Sequence, residues 1–342
     1  MGVVALFACG GPNGTGGTLQ FDPKQYKERA ALLLANGQIY LAFASHCDIQ
    51  PYNGWIMAYS EATLAQTAVL QLTPNGSEGS VWDTGGLAAD GAGDLYATVA
   101  NGTFDTTLDA HGMPAQQDYG NAALRITTAG STLSISDYFT PSNTASESAN
   151  DVDLGSGSVV LLMDQTDNAG MTHHLMAVGG KDGNLYVLDR DNMGRFSATS
   201  NTIYQQLALG STLFSAPVYF NGSVYVGDVG GTLKAFTFSN AQLPAAPSSQ
   251  SPTTYAYPGT SPAISAQGSS NAIVWAVESG TGSAAVLHAY NPANLGQEYY
   301  NSTQAGSGRD SFGNGNKFIT PVIANGKVFV GTPAGVAVFG LL

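Results

Sequence analysis

Ala216-Pro-Val-Tyr-Phe-Asn-Gly-Ser-Val-Tyr-Val-Gly-Asp228 returns further along the chain as Thr320-Pro-Val-Ile-Ala-Asn-Gly-Lys-Val-Phe-Val-Gly-Thr332. In each phrase Asn-Gly separates two alternating apolar runs. A type I′ turn needs positive φ at both central residues, which Asn and Gly tolerate, so each phrase predicts a two-residue β-hairpin. Looser copies lie at Ala31-Leu-Leu-Leu-Ala-Asn-Gly-Gln-Ile-Tyr-Leu41 and Leu87-Ala-Ala-Asp-Gly-Ala-Gly-Asp-Leu-Tyr-Ala97. With the copies around Asp182-Gly183 and Ala272–Tyr290, the phrase occurs six times, so each hairpin is one unit of an array.

The expected fold is all-β: a six-bladed β-propeller of four-stranded antiparallel blades, forming one domain. Blades are predicted at about 30–72, 86–138, 158–208, 215–257, 261–303 and 318–342. The last has only three strands before residue 342, so the N-terminal strand, residues 2–8, is the expected fourth, closing the ring and removing an exposed edge. Only residues 22–34 carry a helix-like period.

The chain has 342 residues, 43 of them Gly, with 10% charged residues and a net charge of −13. That charge argues against a nucleic-acid partner, whose affinity comes from Lys and Arg displacing counterions. Small-molecule or glycan ligands fit better, with the protein a monomer or a dimer. No stretch reaches the length of a membrane span. Met1-Gly-Val-Val-Ala-Leu-Phe-Ala-Cys-Gly-Gly11 lacks the basic start of a signal peptide and reads as a strand. Cys9 and Cys47 would suffice for one disulfide, though spacing does not establish it.

Gly326-Lys-Val-Phe-Val-Gly331 and Asp182-Gly-Asn-Leu-Tyr-Val-Leu-Asp189 resemble the quinoprotein-like, or PQQ-like, β-propeller repeat, and the likeness extends over nearly the whole chain. Ser45-His-Cys-Asp48, Asn75-Gly-Ser-Glu-Gly79, Leu188-Asp-Arg-Asp-Asn-Met-Gly194 and Phe214–Gly222 look like an uncharacterised secreted bacterial group within it. The resemblance implies a secreted or periplasmic parent, and longer members with about two further blades before the equivalent of residue 17. It is specific for fold and weak for function, since this repeat serves dehydrogenases and scaffolds alike. Quinone-dependent members use an adjacent Cys-Cys pair against the cofactor and a calcium near a catalytic Asp. Neither cysteine here has a cysteine neighbour, so PQQ is not expected.

Loops at one face of a propeller surround its mouth, where pockets form. His46, Cys47 and Asp48 bring imidazole, thiol and carboxylate to one such loop, the groups of a metal site or an activated nucleophile. On extended backbone His46 and Asp48 would face one way and Cys47 the other. The plainer reading is a turn-capping Asp beside a packed His. Glu78, Asp83, Asp151 and Asp153 are candidate metal ligands, and their hard oxygens suit calcium better than zinc. Asx turns and loop solvation account equally for isolated carboxylates. Trp55 and Trp82 are candidate stacking surfaces for a substrate ring, with blade packing the alternative. His288, inside an apolar strand, reads as core.

Two functions follow. One is a hydrolase of activated esters or phosphoesters, in which a divalent cation polarises the substrate oxygen and His46 acts as base. The other is a non-catalytic propeller that binds a ligand or protein across the same face. A Cys47 nucleophile and a quinone-dependent dehydrogenase rank below both.

Overall fold

The computed structural model describes residues 6–8, 18–280 and 282–340. They form an all-β protein of six antiparallel blades of the propeller type, with Thr144–Ala149 the single α-helix among the described residues. The residues fall into two compact units, one of 1–161, 174–182 and 186–206, the other of 162–173, 183–185 and 207–342.

The first unit holds blades 1 and 2 and most of blade 3. Blade 1 comprises Tyr26–Glu28, Leu33–Ala35, Gln38–Ser45, Trp55–Ser60 and Gln66–Gln71. Its first two segments pair with the same edge of Gln38–Ser45, through Tyr26↔Ser45 and Leu33↔Tyr40, and so form one interrupted inner strand. Residues 22–34, the stretch with helical periodicity, are therefore a turn and two short strands. Pairing both segments to a longer strand overrides a weak local preference. Blade 2 comprises Ala88–Ala89, Leu95–Thr98, Ala123–Ala129 and Thr132–Phe139, and blade 3 Val160–Leu161, Leu175–Gly179, Asn184–Asp189 and Gln205–Ala208.

The second unit holds blade 4 (Val218–Phe220, Ser223–Gly227, Thr232–Thr237, Ser249–Thr254), blade 5 (Ala263–Gln267, Ser270–Glu278, Val286–Asn291, Asn294–Asn301) and blade 6 (Val322–Ala324, Lys327–Thr332, Gly335–Phe339). Blade 6 has three strands among the described residues. Residues 2–5 of the expected closing strand lie outside them. The described part, Leu6–Ala8, pairs with Thr18–Gln20, in the register Leu6↔Gln20. A partner nearby in sequence costs less loop-closure entropy than one at the far end of the chain.

The Asn-Gly turns take the form the sequence demands: Asn221 and Gly222 have φ of 45° and 79°, Asn325 and Gly326 of 49° and 71°. Middle strands such as Leu95–Thr98, Leu175–Gly179 and Ser223–Gly227 are buried at every residue. Being covered on both faces, they read as continuous apolar runs, whereas the outer strand Thr132–Phe139 mixes buried and exposed positions. One core joins blades 1 and 2 through Tyr40, Ile56, Leu72, Leu95, Leu124 and Tyr138. In the second unit Tyr225, Leu233, Val274 and Tyr290 form another.

Candidate functional site

Four loops of the first unit meet through backbone, and glycines make the approach possible. A Cβ on Gly54 would lie 1.9 Å from the Gly79 carbonyl oxygen, one on Gly102 2.2 Å from the Gly79 nitrogen, and one on Gly120 2.4 Å from the Gly102 carbonyl. Glu78 sits within this stack at a φ of 63°. Its N–H donates to the Tyr52 carbonyl (2.7 Å), and its own carbonyl accepts from Gly54 N–H (3.0 Å) and the Thr73 hydroxyl (2.7 Å). The buried Asn53 amide ties the same loops, donating to the Thr73 and Gly76 carbonyls at 2.7 and 3.0 Å.

The Glu78 backbone is thus fixed, and its half-buried carboxyl is held where burial, then the charges of Asp48 and Asp151, raise its pKa. Asp48 accepts the hydroxyl of the fully buried Tyr52. Burial chiefly, then Asp48 and Glu78, raise the Tyr52 pKa, while a hydrogen bond from Trp82 acts against them. Trp82 is half-buried. Arg29 lies 5.8 Å from its ring centroid and donates to its carbonyl at 2.6 Å.

Asp151 and Asp153 share a cation, and that cation is Lys181. Its ammonium stands 2.8 Å from Asp153 and also pairs with Asp151. Asp153 is 1% exposed, and its pKa is raised by burial against the pull of Lys181. Burial draws the Lys181 pKa down, but the two carboxylates outweigh it and the net direction is up. Beside this pair Glu147, buried on the short helix, accepts from the Asn121 amide at 2.9 Å, and burial raises its pKa.

The remaining candidates are placed differently. His46, Cys47 and Asp48 are exposed in a 3₁₀ turn, with φ of 53° at Cys47 and 56° at Asp48. The alternation argument presumed extended backbone and does not apply there. Cys47 is a free thiol, and Cys9 lies outside the described residues. Asp83 is a structural node: its carboxylate accepts from Ser158 (2.7 Å), Gly86 N–H (2.6 Å) and Thr98 (2.9 Å), and burial pushes its pKa up to about 6. Trp55 is fully buried among Phe21, Tyr26 and Met57, leaving no face for a ligand. Of the nine residues singled out from sequence, Asp48, Glu78, Asp151 and Trp82 come together, with Asp153 behind Asp151.

The expected divalent cation finds no site: among the described residues no group of three or more His, Cys, Asp and Glu is arranged to hold a metal ion. Asp151 and Asp153 are already paired with an ammonium, and both oxygens of Asp83 are occupied. For a polycarboxylate quinone the cluster has the wrong sign, and Cys47 stands without a cysteine neighbour.

Sequence reasoning passed over Lys181, Tyr52, Glu147 and Arg29. Lys181 carried a signal: it is one of only 11 Lys and Arg residues, set in Gly179-Gly-Lys-Asp-Gly183 among loops rich in acid.

No protein-family model and no curated protein matches the chain. Solved structures do. Quinohemoprotein alcohol dehydrogenase ADHIIG from Pseudomonas putida HK5 superposes with a TM-score of 0.54 at 14% identity, over 90% of this chain and 56% of its own. The quinohemoprotein alcohol dehydrogenase of Comamonas testosteroni gives 0.54 at 12%, over 88% and 55%. A chain of the mitotic checkpoint complex gives 0.54 at 10%, over 94% and 78%. The chain spans little more than half the length of the two dehydrogenases. At these identities the likeness is one of fold, a β-propeller.

Proposed function

We propose that the protein is a ligand-binding propeller whose first unit takes a small organic polycation on the loops carrying Asp48 and Glu78, with Asp151, already paired with Lys181, contributing only its nearby charge. One observation carries this reading. Glu78 is held half-buried by its backbone, and the charges of Asp48 and Asp151 raise its pKa beyond what burial does. A bound cation relieves that repulsion. The three carboxylates do not converge as a metal site does, so the favoured ligand spreads its charge over several amines. Lys181 on Asp151 and Asp153 displays the same ammonium chemistry within the chain.

Titration calorimetry with spermidine tests it. Binding is expected, about tenfold weaker in Glu78→Gln, equivalent to about 1.4 kcal/mol. Absence of heat, or equal affinity in the variant, overturns the proposal. The ester or phosphoester hydrolase is the second outcome to assay: turnover of aryl esters or phosphotriesters, lost with both chelator and His46→Ala, would reinstate a metal-assisted site.

A further inference from the structure

A cavity of about 660 Å³ lies in the second unit, whereas the loops just described belong to the first. This volume is in the range of small-molecule sites. Blade 5 contributes Ile273, Trp275 and Tyr300 to its lining, and blade 6 contributes Ile323, Lys327 and Phe339. The Trp275 indole N–H donates to Ser265 at 2.9 Å, so its polar atom is satisfied and the ring is left as an apolar wall. Phe339 is braced edge-on by Phe312, with centroids 5.3 Å apart.

The charges at this cavity are ordered. Asp310 is its one acid, and its carboxylate is committed. It accepts two bonds from Arg309, at 2.7 and 2.9 Å, and one from the Tyr300 hydroxyl at 2.5 Å. The Arg309 and Tyr300 hydrogen bonds hold its pKa down to about 2, so it stays ionised and neutralises Arg309. Lys327 is exposed, and among the described residues no carboxylate pairs with it. Among the described residues the lining therefore carries one uncompensated positive charge, in a chain of net charge −13.

We infer that this cavity binds a small amphipathic anion: a flat aromatic or apolar body against Trp275, Ile323 and Phe339, with a single carboxylate reaching Lys327. A cation would meet the uncompensated charge of Lys327. A neutral body would gain the apolar contact and forgo the charge-assisted bond, which in a partly dry site is the stronger kind of polar contact. The site differs from the acidic loops of the first unit in location and in the sign of its ligand, and it stands without that reading.

The test is binding of 2-naphthoate to the full chain, by calorimetry and by quenching of tryptophan fluorescence, beside its neutral analogue 2-naphthamide. Naphthoate is expected to bind at least tenfold more tightly than the amide. Lys327→Glu should remove that preference while leaving the melting temperature unchanged, because the side chain is exposed. Ile323→Trp, which narrows the cavity, should weaken binding of both; if that variant does not fold, the Lys327→Glu comparison still decides. Equal affinity for the two naphthyl compounds, or an unchanged preference in Lys327→Glu, overturns the anion assignment. No binding of either at millimolar ligand, measured at a protein concentration where sedimentation shows the chain to be monomeric, overturns the site.

Discussion

His288 shows how far a single residue departs from its sequence appearance. Within Val286–Asn291 it reads as core, and it is buried. Its ring, however, is bonded on both nitrogens, to Glu298 at 2.5 Å and Glu278 at 2.8 Å, and it stacks on Tyr290. Burial alone would draw the imidazole pKa down. The two carboxylates outweigh burial, and the pKa is raised from 6.5. A raised folded-state pKa means that the stabilisation is complete below the unfolded value and disappears as pH rises through the folded one. The melting temperature is therefore expected to fall as pH rises above about 6.5, and His288→Gln should flatten that fall; a parallel pH profile in the variant would contradict the assignment. Glycine separates two further effects at this scale. Gly54→Ala drives a methyl into the Gly79 carbonyl and should cost about 3 kcal/mol, as overpacking does. Gly37→Ala enters open space at a φ of 71° and should cost about 1 kcal/mol from backbone strain alone. Denaturant titration of the pair measures both. Gly37 was legible, because Asn-Gly announces its turn. Gly54 was not, because its need for a missing Cβ comes from a loop distant in sequence.

At the scale of elements the outer strands differ in how their edges are defended. Thr132–Phe139 carries Asp137, Ser249–Thr254 carries Pro252 and Asn294–Asn301 carries Glu298. Gly335–Phe339 has neither charge nor proline, and Val336 and Val338 are 64% and 52% exposed. Among the described residues no further strand pairs with it, and an uncharged edge of this kind pairs readily with another chain. Sedimentation velocity should reveal concentration-dependent self-association, and Val336→Lys should reduce it; a strictly monomeric parent would refute this. The sixth hairpin itself was readable from Asn325-Gly326. Its neighbours were not, because strand partners depend on which edges meet in space, as the ladder of Leu6–Ala8 with Thr18–Gln20 illustrates.

For the molecule as a whole, charge dominates. A net charge of −13 sets up a field that favours small cations over anions at the surface. The spermidine affinity proposed above should weaken as salt rises from low levels to about 0.15 M, where the Debye length shrinks to about 8 Å. An affinity indifferent to salt would place the ligand elsewhere. Among the described residues no helix is long and apolar enough to cross a membrane.

The order of the chain alone determined the class of fold: repeated Asn-Gly hairpins and fully apolar middle strands are local patterns, and local patterns set strands and turns. It also drew attention to the acidic loops, since carboxylates in Gly-rich turns are visible one residue at a time. Which carboxylates face one another, and which already hold a partner, was decided by tertiary structure. Lys181 reaches back to Asp151 and Asp153 across 28 to 30 positions of chain, and Asp83 is closed by Ser158 over a greater separation. Such pairings depend on how blades stack side by side, a geometry that no spacing within a single loop encodes.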